Sequence, residues 1–232
     1  MSHTIDSSTA CQGVEEGAKN APGMNDQVLR IILLGPPGSG KGTQALQLCQ
    51  RYHIGHVSTG DILRRNTQRG TELGKTAQEF IQAGELVPDE LIFQMLENLY
   101  HRTGGGGQGF VLDGFPRSRS QAEALDEFLQ QRQQKVHRLL LLKLDDDVIV
   151  GRLIHRRTCP KCGRSFHLLS SPPQVENRCD SDGSELVWRP DDREDVIRNR
   201  LQTYHAKTAP VAEFYSSQGL LVSIDASHSI GE

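Results

Sequence analysis

The sequence has few aromatic residues, no long apolar run and no strong charge imbalance. Aromatic residues make up 5% of its 232 residues, and the formal net charge at pH 7 is −3. Nucleic-acid-binding domains are usually clearly basic, and a membrane-spanning helix needs about 20 apolar residues. The longest apolar run, around residues 139–142, suits a buried strand instead. The composition therefore predicts neither a nucleic-acid partner nor a membrane span.

Residues 1–27 lack the features of a targeting segment. They contain no apolar stretch typical of a secretory signal and too few arginines for a mitochondrial transit peptide. Their low apolar content predicts a disordered N-terminal tail, and we expect a cytoplasmic protein. The five cysteines of the chain are an odd number, which argues against a disulfide framework.

Short apolar runs alternate with segments of helical periodicity along the chain. This alternation predicts an α/β fold with a mainly parallel sheet whose strands are buried on both faces. The predicted strands lie at 29–34, 56–57, 110–113, 139–144 and 220–224. The predicted helices lie at 42–52, 61–69, 76–83, 88–101, 120–134, 146–157 and 191–217, the last bent near Pro210. Residues 158–190, rich in Cys, Pro, Ser, Asp and Gly, interrupt the pattern and predict an inserted lobe.

A glycine-rich sequence, GPPGSGKGT at residues 35–43, follows the first predicted strand and precedes a helix. Glycines allow backbone N–H groups to surround phosphate oxygens, and the helix directs its positive end at the same anion. Lys41 adds a positive charge toward the β- and γ-phosphates, and Thr43 offers a hydroxyl to magnesium. The alternative is a glycine-rich turn without a ligand, which the strand-turn-helix context disfavours.

Three cysteines and an aspartate have the spacing of a metal site. Cys159 and Cys162 form one C-x2-C pair, and residues 163–178 separate it from Cys179 and Asp182. Two tight turns can direct four ligands to one ion, and three thiolates favour zinc over hard cations. His167 is a further candidate ligand. Free thiols or a redox pair are the alternatives, and neither gives Cys179 a role.

Several blocks of sequence together resemble adenylate kinases, in the nucleoside monophosphate kinase family. They are GPPGSGKGTQ at 35–44, STGDILR at 58–64, ELVPDE at 85–90, DGFPR at 113–117 with Gln121, and RPDD at 189–192. Gly42, which separates Lys41 from Thr43, departs from the plain Walker pattern but matches that family. The resemblance implies reversible phosphoryl transfer from ATP–Mg to AMP, giving two ADP and maintaining adenine nucleotide balance, by a monomer.

The resemblance also implies an architecture in three parts. A core of P-loop NTP hydrolase type, with a five-stranded parallel sheet flanked by helices, spans 28–57, 88–154 and 193–232. An inserted helical AMP-binding domain spans 58–87. A lid spans 155–192 and carries structural zinc, as in one branch of the family with long lids.

Site residues follow from the resemblance position by position. The implied catalytic residues are Lys41, Arg117, Arg152, Arg156, Arg189 and Arg200. The implied ATP-binding residues are Gly38, Ser39, Gly40, Lys41, Gly42, Thr43, Arg156, Ser165, Phe166 and His228. The implied AMP-binding residues are Thr59, Arg64, Glu85, Leu86, Val87, Gly114, Phe115, Pro116, Arg117, Gln121, Arg189 and Arg200. Asp113 is implied to hold magnesium through water, and Gln121 to pair with the adenine edge.

Four alternative functions share parts of this sequence pattern. A UMP/CMP kinase is disfavoured by the long lid and Gln121, whereas a GTP-dependent AMP kinase stays open. A GTPase switch needs an NKxD motif, which the sequence lacks. A zinc-ribbon module that binds nucleic acid would need a basic, aromatic-rich surface.

Overall fold

The computed structural model describes residues 28–102, 107 and 109–228, and the predicted tail at 1–27 lies outside them. Five parallel strands form the central sheet, and two antiparallel strands form a hairpin in the segment 155–192, called the lid below. The strands are β1 (Arg30–Leu34), β2 (Gly55–Ser58), β3 (Phe110–Asp113), β4 (Arg138–Lys143), β5 (Arg156–Thr158), β6 (Ser165–His167) and β7 (Leu221–Asp225). The order across the central sheet is β2-β3-β1-β4-β7, which confirms the predicted fold class.

Eight α-helices occur among the described residues, and those that follow the central strands flank the sheet. They are α1 (Lys41–Tyr52), α2 (Thr59–Gln68), α3 (Glu72–Ala83), α4 (Asp89–Arg102), α5 (Arg119–Gln130), α6 (Asp146–Ile154), α7 (Glu194–Thr203) and α8 (Pro210–Ser217). Local sequence sets several of their starts. Ser58 and Ser118 cap α2 and α5 by accepting hydrogen bonds from backbone N–H groups, an interaction preferred at helix N-termini.

The core lies on both faces of the sheet because neighbouring residues of a strand point to opposite sides. Ile32 of β1 packs on one face with the apolar side chains of α4, α5 and α8. Ile31 and Leu33 pack on the other face with Ala45 and Cys49 of α1. Every residue of β1 is buried, as the continuous apolar run predicted.

Four predicted helices differ from the observed ones by three residues or more at an end or are divided. The helix predicted at 76–83 begins earlier, at Glu72, after the cap residue Thr71. The helix predicted at 146–157 ends at Ile154, because residues 156–158 pair with β6 instead. The helix predicted at 120–134 ends at Gln130, and Gln133 adopts a positive φ of 56° in the turn that follows. The helical region predicted at 191–217 is divided into a 3-10 turn at Pro190–Asp192, then α7, a π-helical turn at Tyr204–Thr208, and α8, which begins at Pro210.

No helix among the residues that the structure describes is long and apolar enough to span a bilayer.

Candidate active site and metal centre

The loop between β1 and α1 has the backbone geometry of an anion-binding turn. Gly38 and Gly40 adopt positive φ angles of 80° and 91°, a conformation that favours glycine. A side chain at Gly38 would also lie 2.9 Å from Cγ of Leu153. Helix α1 begins at Lys41 without a side-chain cap, so its first N–H groups are available to an anion.

Lys41 turns its ammonium group back into this loop. Its Nζ donates hydrogen bonds to the carbonyl oxygens of Gly35 at 2.8 Å and Pro36 at 2.7 Å. Burial lowers the pKa of Lys41 to about 8, against the opposing effect of Asp113, and Arg117 lowers it further. The Oγ atom of Ser39 is buried there without a hydrogen-bond partner in the protein. An anion in the loop would stabilise the lysine charge and offer the serine an acceptor.

Asp113, at the carboxyl end of β3, faces the same loop from the neighbouring strand. It is 9% exposed, and its Oδ2 lies 3.6 Å from Nε2 of His56. A side chain at Gly42 would lie 3.5 Å from the same Oδ2 atom, so the carboxylate borders the start of α1. Carboxylates at this edge of a parallel sheet, beside bound phosphates, commonly hold magnesium.

A cleft between the core and helices α2 and α3 contains most of the residues predicted for AMP. We call it the arginine pocket, since Arg64, Arg117 and Arg200 line it. Its other lining residues are Thr59, Gly60, Leu63, Ile81, Gly84, Glu85, Leu86, Val87, Ile92, Gly114, Phe115, Gln121 and Asp191. Among the residues predicted for AMP, Pro116 and Arg189 are not part of this lining.

Hydrogen bonds within the arginine pocket fix its cationic side chains. Arg117 donates from Nε to the carbonyl oxygen of Gly114 at 2.6 Å, and Thr59 Oγ1 donates to the same oxygen at 2.8 Å. Arg64 contacts Asp61 at 2.5 Å. Burial lowers the pKa of Arg117 to about 10, and the neighbouring Arg200 adds to this effect. Such a concentration of desolvated positive charge is suited to a phosphate.

Two buried carboxylates hold the arginines between the pocket and the lid. Arg156 donates from Nε and Nη2 to both oxygens of Asp192, at 2.8 and 2.5 Å. Arg200 lies 3.0 Å from Asp191 and 3.6 Å from Asp192. Asp192 is 0% exposed and Asp191 is 5% exposed. The two acids therefore neutralise part of the charge that the arginines bring together.

The lid brings the four predicted metal ligands together. Their donor atoms all lie within 4.8 Å of one another. Cys162 Sγ lies 3.5 Å from Cys179 Sγ, and Cys159 Sγ lies 3.4 Å from Oδ2 of Asp182. Sulfur atoms around a tetrahedral zinc ion are about 3.8 Å apart, so the spacing suits such an ion. Gly163 and Gly183, both with positive φ, directly follow the two pairs of candidate ligands in two similar turns.

The chain matches the family model described as "Adenylate kinase" over residues 33–220. The chain belongs to the adenylate kinase family. Curated proteins named adenylate kinase include one from Caldicellulosiruptor bescii, 47% identical over 194 residues that cover 84% of this chain and 90% of that protein. Another, from Methanothrix thermoacetophila, is 44% identical over 204 residues, covering 88% and 94%. A third, from Caldanaerobacter subterraneus subsp. tengcongensis, is 43% identical over 204 residues, covering 88% and 92%.

Membership of the adenylate kinase family makes this chain a nucleoside monophosphate kinase. The phosphate loop and the arginine pocket can therefore be considered together, as parts of one kinase site. Asp113 borders the start of α1, and the next residue, Gly114, lines the arginine pocket. Of the arginines predicted as catalytic, Arg117 and Arg200 line the pocket, and Arg156 and Arg189 contact residues of the lid segment. Arg189 donates to Oγ1 of Thr158 at 2.9 Å. Burial lowers the pKa of Arg189 to about 9, and the charge of Arg64 adds to the shift.

In this adenylate kinase family member, Ser165, Phe166 and His228 are further residues predicted for ATP, and Arg152 is a further residue predicted as catalytic. Phe166 is 5% exposed and packs in the lid with Cys159, Cys179 and Leu186, so its ring faces the lid interior. Ser165 is exposed. His228 is exposed and lies 3.7 Å from Asp225. Arg152 contacts the carbonyl oxygen of Ser227 at 3.4 Å, which joins the C-terminal segment to α6. Their roles stay predictions.

Sequence reasoning missed the roles of Asp191 and Asp192. The RPDD block carries part of the family resemblance, but the resemblance assigns no function to its two acids. Two adjacent carboxylates among several arginines, in a stretch with little apolar character, could have indicated buried ion pairs.

Proposed function

We propose that the protein transfers a phosphoryl group reversibly between ATP–Mg and AMP at the cleft that joins the phosphate loop to the arginine pocket. The observation that carries this proposal is the pair of anion sites, one beside Asp113 and the other lined in part by Gly114. One is the glycine-rich loop with Lys41, and the other is lined by Arg64, Arg117 and Arg200. A reaction between two phosphorylated nucleotides needs two such sites.

The chemistry asks for positioning and charge stabilisation more than for a nucleophilic side chain. In phosphoryl transfer the charge spreads over the phosphoryl oxygens, and the attacking group here is the phosphate of AMP. Lys41 and the phosphate loop would hold the donor phosphates, and Arg64 and Arg117 the AMP phosphate. Arg152, Arg156, Arg189 and Arg200 would surround the transferring group when the lid closes, in a site from which water is excluded. Asp113 would hold the magnesium of ATP–Mg through water.

The adenine of AMP would bind in the arginine pocket beside Gln121, with contacts from Thr59, the backbone of 85–87 and 114–116. The predicted divisions, with an AMP-binding domain at 58–87 and a lid at 155–192, fit this assignment. ATP rather than GTP as donor, a cytoplasmic location and a monomeric state stay predictions.

The lid cluster fits a structural zinc ion. Three thiolates and a carboxylate make a complete set of four ligands, which leaves no open position for a substrate. The N–H of Ser184 donates to Asp182 at 2.9 Å, and this hydrogen bond holds the pKa of Asp182 well below its usual range. An ionised carboxylate is the form that binds a cation. Bound zinc would keep the small lid folded and would take no part in phosphoryl transfer.

The test is to mix the purified protein with ADP and magnesium and to follow the formation of ATP and AMP. Equal amounts of the two products are expected. Lys41→Ala is expected to lose at least about two orders of magnitude in turnover, because it removes a buried charge from the phosphate loop. If the folded wild-type protein forms neither product, the proposal is wrong, and a screen of nucleotide pairs would identify the true substrates.

A further inference from the structure

The side chain of Gln121 is held by the protein on both sides of its amide group. It is 2% exposed, on the first turn of α5, where it lines the arginine pocket. Its Oε1 accepts a hydrogen bond from the backbone N–H of Arg117 at 2.7 Å. Its Nε2 donates to Oδ1 of Asp89 at 2.5 Å. Asp89 is the first residue of α4 and is not part of the pocket lining.

These two hydrogen bonds determine which end of the amide faces which way. A carboxylate accepts hydrogen bonds and a backbone N–H donates them. If the amide flipped, its oxygen would face the Asp89 carboxylate and its NH2 group would face the N–H of Arg117. Both contacts would then be repulsive. The other Asp89 oxygen accepts from Oγ of Ser120 at 3.1 Å, which ties the carboxylate to the start of α5.

A fixed amide still has hydrogen-bonding capacity for a base. An amide nitrogen carries two hydrogens and its oxygen has two lone pairs. Gln121 therefore keeps one donor and one acceptor after its contacts with Asp89 and Arg117. Adenine offers the complement, with an acceptor at N1 and a donor at the 6-amino group. Hypoxanthine and guanine offer the reverse, with a hydrogen at N1 and an oxygen at C6.

We propose that Asp89 is a positioning residue that determines specificity, because it locks the Gln121 amide in the orientation that accepts adenine and rejects 6-oxopurines. Asp89 acts through Gln121 and does not touch the substrate. The inference rests on the proposed function, in which AMP occupies the arginine pocket. It adds to that function the reason why the base is an aminopurine, since a rotatable amide alone would pair with either pattern.

The experiment compares AMP with IMP, which carries an oxygen in place of the 6-amino group, as acceptors of phosphate from ATP. The ratio of kcat/KM for AMP to that for IMP is measured for wild type, Asp89→Ala and Asp89→Asn. Asp89→Ala is expected to lower this ratio about tenfold, because a hydrogen bond to a charged group is lost. The loss should come from a higher KM for AMP, with kcat at saturation and the KM for ATP nearly unchanged. Asp89→Asn keeps the size and one acceptor, and a smaller drop, of about threefold, is expected.

Two control variants separate this role from general effects at the same place. Glu90→Ala removes the neighbouring acidic residue from the first turn of α4 without touching Gln121. Ser120→Ala removes a partner of Asp89 but leaves both hydrogen bonds of the amide. Both should keep the wild-type ratio. A purely structural role of Asp89 would lower turnover of AMP and IMP together and leave the ratio unmoved.

The outcomes distinguish this inference from the function on which it rests. If wild type phosphorylates AMP and the ratio changes less than twofold in both Asp89 variants, Asp89 does not set specificity and this inference is wrong. If wild type fails to phosphorylate AMP and does not bind it in calorimetry, the proposed function is wrong and the inference falls with it. Asp89→Asn covers the case in which Asp89→Ala does not fold.

Discussion

The core and the lid hold their shapes by different means. In the core, side chains from the central strands and from helices on both faces form extended apolar clusters, and residues such as Ile32 and Leu139 are 0% exposed. Among the described residues of the lid, the buried apolar cluster has four members, and two of them are Cys159 and Cys179. A lobe with so little apolar surface to bury gains little from the hydrophobic effect.

The comparison indicates which interactions stabilise the core and which would stabilise the lid. The core has extensive apolar burial to stabilise it, whereas the proposed zinc ion would supply the lid with bonds that its small apolar cluster cannot replace. Apolar side chains are left exposed in the lid, including Leu169 at 72% and Val175 at 64%. The regions meet at Asp192, which pairs with Arg156 of the lid and Arg200 of α7. Substitutions in the core, at this junction and in the lid should therefore have distinct consequences.

The largest effect is expected from a cavity in the core. Leu139→Ala should lower the free energy of unfolding by about 2–5 kcal/mol, since it removes a fully buried side chain. The same change in the lid, Leu186→Ala, should lower the stability of the core by less than about 1 kcal/mol. Urea denaturation followed by circular dichroism measures both. Equal losses would show that the lid and the core unfold as one unit, which would contradict the difference proposed between them.

A smaller loss, of about 3 kcal/mol, is expected at the junction from Asp192→Asn. The change leaves the half-buried guanidinium groups of Arg156 and Arg200 without their shared carboxylate charge. The control is Asp195→Asn, which breaks an ion pair with Arg193 that is 70% and 57% exposed on its two sides. Such a pair contributes at most about 1 kcal/mol. Similar losses in the two variants would contradict the role given to burial at Asp192.

In the lid, Cys179→Ser should reduce bound zinc from one ion per chain to almost none. The melting temperature should fall by about 5 °C, which corresponds to about 2 kcal/mol for a chain of this size. Turnover at low temperature should change less than stability, because the proposed zinc ion would have a structural role and take no part in phosphoryl transfer. Cys49→Ala, which removes a cysteine of α1 instead, should keep its zinc. A Cys179→Ser protein that retains one zinc ion would rule out the site.

The smallest effect is a pH dependence of ADP affinity, which arises from Lys41 in the core and not from the lid. The pKa of Lys41 is about 8 in the free protein because the side chain is buried, and bound phosphate would raise it. Below pH 8 the lysine is charged in both the free and the ADP-bound protein, so the affinity for ADP does not change with pH. Above pH 8 binding must take up a proton, and ADP affinity should fall by up to about tenfold between pH 7 and 9. Calorimetry in buffers of different ionisation heat measures the uptake, which Lys41→Gln should lose.

The sequence was sufficient wherever structure depends on neighbouring residues. The apolar run of β1 and the glycines after it act locally, and both were found where the pattern predicted them. The cap of α2 by Ser58 is equally local, but it was not predicted. The four lid donors could be predicted as a group because each half of the cluster is a tight turn of fixed spacing. The family blocks added the AMP-side residues, and all of these except Pro116 and Arg189 line one pocket.

What the sequence left out depends on residues distant in the chain. Residues 156–158 continue the helical period of α6, yet they form a strand because β6 offers them partners. The contact of Gln121 with Asp89 joins residues 32 positions apart, and that of Arg156 with Asp192 joins residues 36 apart. No local sequence pattern specifies which polar or charged residues, far apart in the chain, will form a pair. The burial of Asp192 among arginines became evident only from the fold.

Arg200 divides its guanidinium between two neighbouring acids that serve different parts of the molecule. Asp191 lines the arginine pocket, and Asp192 holds Arg156 at the root of the lid. A monophosphate in the pocket would compete with both carboxylates for this one cation. Such linkage is reciprocal. If AMP binding weakens the ion pairs that join Asp192 to the lid, a change in the position of the lid must alter the affinity for AMP by the same factor. With ATP and AMP in the clefts proposed above, the two substrates would thus influence each other's binding through a single side chain.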